Sequence, residues 1–294
     1  MSTPLISDLH KRIKLVWEQS QSMMQYDILL HILSTIPSTS ALSVALVCKD
    51  WAKIVCIDRH RAVHVEVARL LNAKARVPNI LCDACPNMDL RHQGIHVDCV
   101  VWAAFMNCHS LTSIKLPRTI ENIEGCAFRS CKALMSIEIP STVVFIGTSA
   151  FENCTALESI KLPPLLTTIA TRTFRSCIAL KSINLGLLQR INNQAFWCCN
   201  GLKQIHIPDT VRCIGSCAFV DCIALESIKL PLLLESVQTL TFSGCKGLEK
   251  LYIPDSVKFV AGCAFVRCEG LKQIHLPIAL QHNPLTCDAL IIYR

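Results

Sequence analysis

The sequence predicts an α+β chain in which a short N-terminal helical module precedes a solenoid of about eight 23-residue rungs. Three observations predict it. Eight phenylalanines (Phe105, Phe128, Phe151, Phe174, Phe196, Phe219, Phe242 and Phe265) stand 23 residues apart, save for one gap of 22. Each is followed by Cys at the third position, Leu at the sixth, an aliphatic residue at the ninth and Leu or Ile at the eleventh. Ahead of this array, residues 24–71 carry the three-to-four-residue apolar period of short amphipathic helices.

With 294 residues and 51% hydrophobic side chains, the chain has ample material for a continuous core. The net charge of +7 divides as 11 basic against 9 acidic residues up to position 99 and 18 against 13 beyond it, so there is no basic tail. Mild, spread basicity predicts no nucleic-acid partner. From Met1 to Gln21, charges and Trp17 occupy the place of an export signal's apolar core, and no later stretch is long and apolar enough to span a bilayer. The expectation is a reduced, intracellular chain, cytoplasmic or nuclear, that does not enter a membrane. Eight of the nineteen cysteines (Cys108, Cys131, Cys154, Cys177, Cys199, Cys222, Cys245 and Cys268) hold one position of the repeat, which reads as a buried ladder of free thiols. Strands stacked about 4.8 Å apart would also bring neighbouring thiols near disulfide range.

Residues 1–23 form a helical extension whose face is Ile6, Leu9, Ile13, Val16 and Trp17, with His10, Lys11, Arg12 and Lys14 elsewhere on its surface. A basic amphipathic helix can lie on a membrane. The short apolar face favours packing on the following module instead. In residues 24–71 the first helix presents Ile28, Leu29, Ile32 and Leu33 and stops at Pro37, because the residue before a proline is driven out of the helical region. Ser38 to Ser40 offer caps for a second helix with Leu42, Leu46 and Val47, and a third apolar set follows in Trp51, Ile54, Val55 and Ile57.

The run Asp27-Ile28-Leu29-Leu30-His31-Ile32-Leu33, then Ile36-Pro37, Leu42 and Leu46-Val47-Cys48-Lys49-Asp50-Trp51, resembles an F-box. That module docks on a Skp1-type adaptor of cullin-based ubiquitin ligases. Where the family opens with Leu-Pro, this chain has Met24-Gln25. The resemblance implies a docking set of Ile28, Leu29, Ile32, Leu33, Pro37, Leu42, Leu46, Val47, Cys48 and Trp51. The alternative is a helical cap on the open end of the repeat stack.

Residues 72–99 read as a connector or a degenerate first rung. Cys82, Cys85, His92, His96 and Cys99 could supply zinc ligands, but the second half of the set lacks a standard ligand spacing. The connector reading is preferred, and no cofactor is expected.

In the array of residues 100–280, the aliphatics nine and eleven after each Phe alternate, so they point one way from a strand. A proline at the twelfth position, or Gly186 in the short rung, ends it. The aliphatic five before each Phe marks a second short strand. A single rung has nothing to bury these side chains against, and stacking supplies it. The rung Ile214-Gly215-Ser216-Cys217-Ala218-Phe219-x-x-Cys222-x-x-Leu225-x-x-Ile228-x-Leu230-Pro231 resembles the BspA-like class of leucine-rich repeats. The asparagine column of commoner leucine-rich repeats is missing, and Cys and Phe take its structural place. Residues 281–294 read as a C-terminal cap, and the short rung predicts a local change in curvature.

No phosphate-cradling glycine loop, zinc-protease motif, Gly-x-Ser-x-Gly elbow or carboxylate cluster is present, so no catalytic residue is expected. Variation concentrates at the tenth position: Lys115, Glu138, Lys161, Asn184, His206, Lys229, Tyr252 and His275. With the eighth-position column from Ser113 to Gln273, it should line one solvent face that binds a protein target. The combined resemblances imply an interaction adaptor, with a ligase-free scaffold and a BspA-like surface adhesin as alternatives.

Overall fold

The computed structural model describes residues 87–91, 97–283, 285–287 and 289–294. The helical extension, the F-box-like module, Cys82, Cys85, His92 and His96 lie outside them. The described residues form a β-solenoid with a single short 3-10 turn at Ile278–Leu280 and no α-helix.

Two series of strands alternate along the chain. The odd series is β1 (Asn87–Asp89), β3 (Ser113–Lys115), β5 (Ser136–Glu138), β7 (Ser159–Lys161), β9 (Ser182–Asn184), β11 (Gln204–His206), β13 (Ser227–Lys229), β15 (Lys250–Tyr252) and β17 (Gln273–Leu276). The even series is β2 (Cys99–Val100), β4 (Asn122–Ile123), β6 (Phe145–Ile146), β8 (Thr168–Ile169), β10 (Arg190–Ile191), β12 (Cys213–Ile214), β14 (Ser236–Val237) and β16 (Phe259–Val260), with β18 (Leu290–Tyr293) closing the chain. Every pairing is parallel, and within the phenylalanine repeats each places identical repeat positions opposite each other, as Ile114↔Ile137↔Ile160↔Ile183 shows. The odd ladder extends past the phenylalanine repeats at both ends, since β1 pairs with β3 and β18 with β17.

From β3 to β17 every odd strand except β9 is closed by a proline within two residues of its end. The carbonyls of Pro117, Pro140, Pro163, Pro208, Pro231, Pro254 and Pro277 accept from the backbone N–H three residues on, which turns the chain toward the even strand. In the short rung Leu188 N–H donates to Leu185 O, so the same turn is made one residue earlier, through Gly186 at φ +56. A side chain there would meet the left-handed region's steric penalty.

The third side of each rung is a run of consecutive turns centred on phenylalanine. Fourteen non-glycine residues take positive φ, all two before or two after a column Phe, from Ala103 and Asn107 to Arg267. Such backbone costs free energy and persists only where it is held. It is held by the next rung: Ala103 N–H donates to Gly125 O, Phe105 N–H to Ala127 O, and Asn107 N–H to Arg129 O, with the same triplet recurring up the stack.

The core is a set of buried columns. All eight phenylalanine rings stack with centroids 5.1–5.8 Å apart. Interplanar angles are 2–7° except between Phe174 and Phe196, where the ring pair opens to 14°. That pair spans the 22-residue rung, so the lost residue is absorbed as a local tilt.

The cysteine column does more than fill space. The thiols of Cys131, Cys154, Cys177, Cys199, Cys222, Cys245 and Cys268 donate to the carbonyl of the Phe one rung earlier at 2.9–3.2 Å. This gives each column carbonyl from Phe105 to Phe242 a second donor beside the cysteine N–H of its own rung. One member departs from the expected free ladder. Cys108 is disulfide-bonded, whereas fourteen other described cysteines form no disulfide. Cys108 heads the column, with no column phenylalanine before Phe105 to receive its S–H.

Burial pushes the Cys131 thiol up to about 12 and those of Cys154, Cys177, Cys199, Cys222 and Cys245 upward as well; the less covered Cys268 rises to about 11. Since the thiolate is the nucleophile, timed iodoacetamide labelling of native protein near neutral pH should modify the column from Cys131 to Cys245 at least ~100-fold more slowly than half-buried Cys213. Cys268 should react before the rest. Labelling of the column as fast as Cys213, read by peptide mass spectrometry, would show that the stack opens freely.

Candidate functional surface

Strand alternation decides which side chains leave the core. In every three-residue odd strand the middle residue is buried, and from β5 to β15 its two neighbours are exposed. Lys115, Glu138, Lys161, Asn184, His206, Lys229 and Tyr252 are therefore exposed on one face, and His275 is half-buried at its C-terminal end. The eighth-position column lies beside them, with Ser136, Ser159, Ser182, Gln204, Ser227 and Lys250 exposed and Ser113 and Gln273 half-buried. The structure thus brings the whole predicted column together. Parallel register sets its members in line, such as His206↔Lys229 and Tyr252↔His275.

The face changes character along its length. At the N-terminal end Asp89 receives Arg91 at 2.6 Å and Lys115 at 4.0 Å, and the Arg91 hydrogen bond holds the Asp89 carboxyl well below the usual carboxylate range. At the other end Tyr252 stacks on His275 with centroids 4.3 Å apart and planes at 13°. Tyr252 stays 55% exposed, so the ring is held firmly yet presented to solvent. His275 Nε2 is enclosed without a hydrogen-bond partner. Lys229 Nζ stands 3.9 Å from Asp209.

Sequence reasoning missed two polar columns. One flanks the face at the seventh position, where Lys181 reaches Glu158 at 2.7 Å and Lys272 reaches Glu249 at 2.9 Å. The other lies one residue after the phenylalanines. There Glu152, 4% exposed, takes Arg129 Nε and Arg175 Nη1 at 3.2 Å each, and Arg175 lies 4.8 Å from the Trp197 ring centroid. The signal was an Arg-Glu-Arg-Trp sequence read at rung spacing, visible only when variable positions are aligned as columns.

Of the metal-like set only Cys99 is described, and its Sγ lies 3.6 Å from Glu124 Oε1. Among the described residues no three His, Cys, Asp or Glu side chains stand together as a metal site. No helix among the described residues is long and apolar enough to cross a membrane.

The BspA type leucine-rich repeat region matches residues 100–200 and 189–284, more than half of the chain. The chain belongs to the BspA-type leucine-rich-repeat family. A separate F-box domain match covers residues 22–61. No curated protein matches the chain in sequence. Among solved structures, the BspA-type array is similar to the leucine-rich repeat protein of T. pallidum, at 34% identity over 54% of this chain and 78% of that one, with a TM-score of 0.52. A leucine-rich cell surface protein of Faecalibacterium prausnitzii shares 27% identity over 72% of this chain, with a TM-score of 0.47; the alignment spans 61% of that protein's length. An F-box match and a BspA-type array on one chain are the parts of a protein-interaction adaptor.

Proposed function

We propose that this BspA-type protein is a substrate-recognition subunit of a Skp1–cullin–F-box ubiquitin ligase. The observation that carries the reading is the F-box match at residues 22–61 ahead of a leucine-rich array. Residues 24–71 form the helical docking module, and Ile28, Leu29, Ile32, Leu33, Pro37, Leu42, Leu46, Val47, Cys48 and Trp51 hold the Skp1-type adaptor. The solenoid face from Lys115 to His275 binds the protein target in the cytoplasm or nucleus. No residue of this chain performs ubiquitin transfer in this scheme; tethering raises the effective concentration of the target near a separately recruited enzyme.

Co-expression with a Skp1-type adaptor tests it. Wild type should co-purify at one-to-one stoichiometry, and Val47→Asp with Trp51→Ala should lose the adaptor while the solenoid keeps its thermal melt. A folded wild type that never retains the adaptor removes the ligase reading and leaves a scaffold. The disulfide at Cys108 gives the surface-adhesin alternative one supporting observation. Alkylation after unfolding without reductant separates the two, since a cytosolic chain leaves the fourteen free described cysteines reactive and an exported one loses several of them to further disulfides.

A further inference from the structure

The eight-rung face is not uniform, and its C-terminal half carries a more specific arrangement. From β9 onward the two outward columns read Asn184, His206, Lys229, Tyr252, His275 and Ser182, Gln204, Ser227, Lys250, Gln273, with no carboxylate in either. Glu138 is the one acidic residue of the two columns and lies in the other half. Tyr252 is the only aromatic ring other than imidazole in the columns, and it is 55% exposed. Its stacking on His275 at 4.3 Å fixes the ring before any partner arrives, which lowers the entropy lost on binding. Lys229 holds the equivalent position on β13 and Lys250 stands two residues earlier on β15, so both lysines share the exposed face with the ring. Lys229 is only loosely engaged, 3.9 Å from Asp209, and Lys250 forms no ion pair with a described residue.

Resting on the adaptor reading above, we infer that the Tyr252–His275 stack with Lys229 and Lys250 is the anchor for an extended acidic peptide segment of the target protein. The segment lays an apolar or aromatic side chain on the Tyr252 ring and sets Asp or Glu carboxylates against the two lysines. A rigid exposed tyrosine is the kind of residue that concentrates binding energy in protein interfaces, and the two lysines add charge complementarity to an acidic segment. The two columns themselves present no like charge to an acidic partner, and the flanking Glu249 is paired with Lys272 at 2.9 Å. Two lysines are too few to hold a nucleic-acid backbone through counterion release, so a polypeptide is the better match.

The experiment pans a phage-displayed library of random dodecapeptides on the immobilised full chain. Enriched peptides are synthesised with a fluorescein label and titrated by anisotropy. The expected result is enrichment of Asp and Glu next to an apolar residue. Affinity should fall at least ~10-fold in Tyr252→Ala and in Lys229→Glu with Lys250→Glu, and it should weaken as salt is raised from about 150 to 500 mM. These side chains are solvent-facing, and unchanged thermal melts confirm that the variants fold. Loss of binding instead in Lys115→Glu with Lys161→Glu overturns the anchor but keeps the face as the binding surface. Neutral or basic peptides, or no enrichment, overturn the anchor and leave the ligase reading to the adaptor co-purification. A labelled single-stranded oligonucleotide that binds wild type and is lost in the Tyr252 and Lys229/Lys250 variants overturns the peptide assignment.

Discussion

Replacing Phe196 with alanine should lower the stability of the solenoid by about 3–5 kcal/mol, the range for emptying a fully buried aromatic site. Phe196 is wholly buried, and its ring contacts Phe174 at 5.6 Å and Phe219 at 5.3 Å, so the deletion removes two stacked interfaces as well as the buried area. Position in the array matters because a solenoid's stability is a sum of rung and nearest-neighbour terms. Phe265 stacks only on Phe242 among the column rings, at 5.8 Å, and Phe265→Ala should therefore cost less than Phe196→Ala. The central deletion should also split one cooperative transition into two, because the 14° tilt between Phe174 and Phe196 already makes that interface the least regular of the stack. Urea unfolding followed by circular dichroism and by tryptophan fluorescence would report it as a lower midpoint and non-coincident curves. A loss below about 1 kcal/mol with coincident curves would mean that the ring column is not the main source of cohesion.

Much of this was legible in the sequence because a solenoid repeats its physics. A position that is buried once is buried eight times, so the Phe, Cys, Leu and strand-aliphatic columns declared themselves by recurrence. Pro117 and its equivalents marked the strand ends in advance. Legibility failed where recurrence failed. Ala103, Cys126, Arg172 and Leu240 share a positive φ but no residue type, so nothing in their identity announces a left-handed backbone; inter-rung hydrogen bonds impose it. The Cys131 thiol could be placed in the core from the pattern, but its donation to Phe105 O depends on which backbone group of the preceding rung it faces, which spacing alone does not give. For the face, alternation alone put Lys115 through Tyr252 in solvent. It could not foretell that His275 would be half-covered, because β18 carries the ladder one strand past the last phenylalanine.

The Arg129–Glu152–Arg175 column supports the second large effect. Glu152 is buried and each of its carboxylate oxygens receives one guanidinium at 3.2 Å, while the arginines are 43% and 33% exposed. Removing the acid and removing the bases are therefore unequal perturbations. In Glu152→Leu the buried charge disappears and the arginines turn to water, so a near-neutral change is expected, as for other buried ion pairs replaced by apolar groups. In Arg129→Ala with Arg175→Ala the carboxylate stays buried with neither cation, and the expected loss is about 3 kcal/mol, the low end of the range because water reaches the vacated arginine positions. The sign of the pH response separates this from simple loss of packing. An unpartnered buried carboxylate is relieved by protonation, so it takes up a proton on the folded side more readily than on the unfolded side. The stability gap between the double variant and wild type should then be widest near pH 7 and narrow as pH falls toward 4. Thermal melts at the two pH values decide the matter. A gap that stays constant would show that the arginines act through their packed aliphatic stems and the Arg175–Trp197 contact at 4.8 Å, and that the Glu152 charge is screened without them.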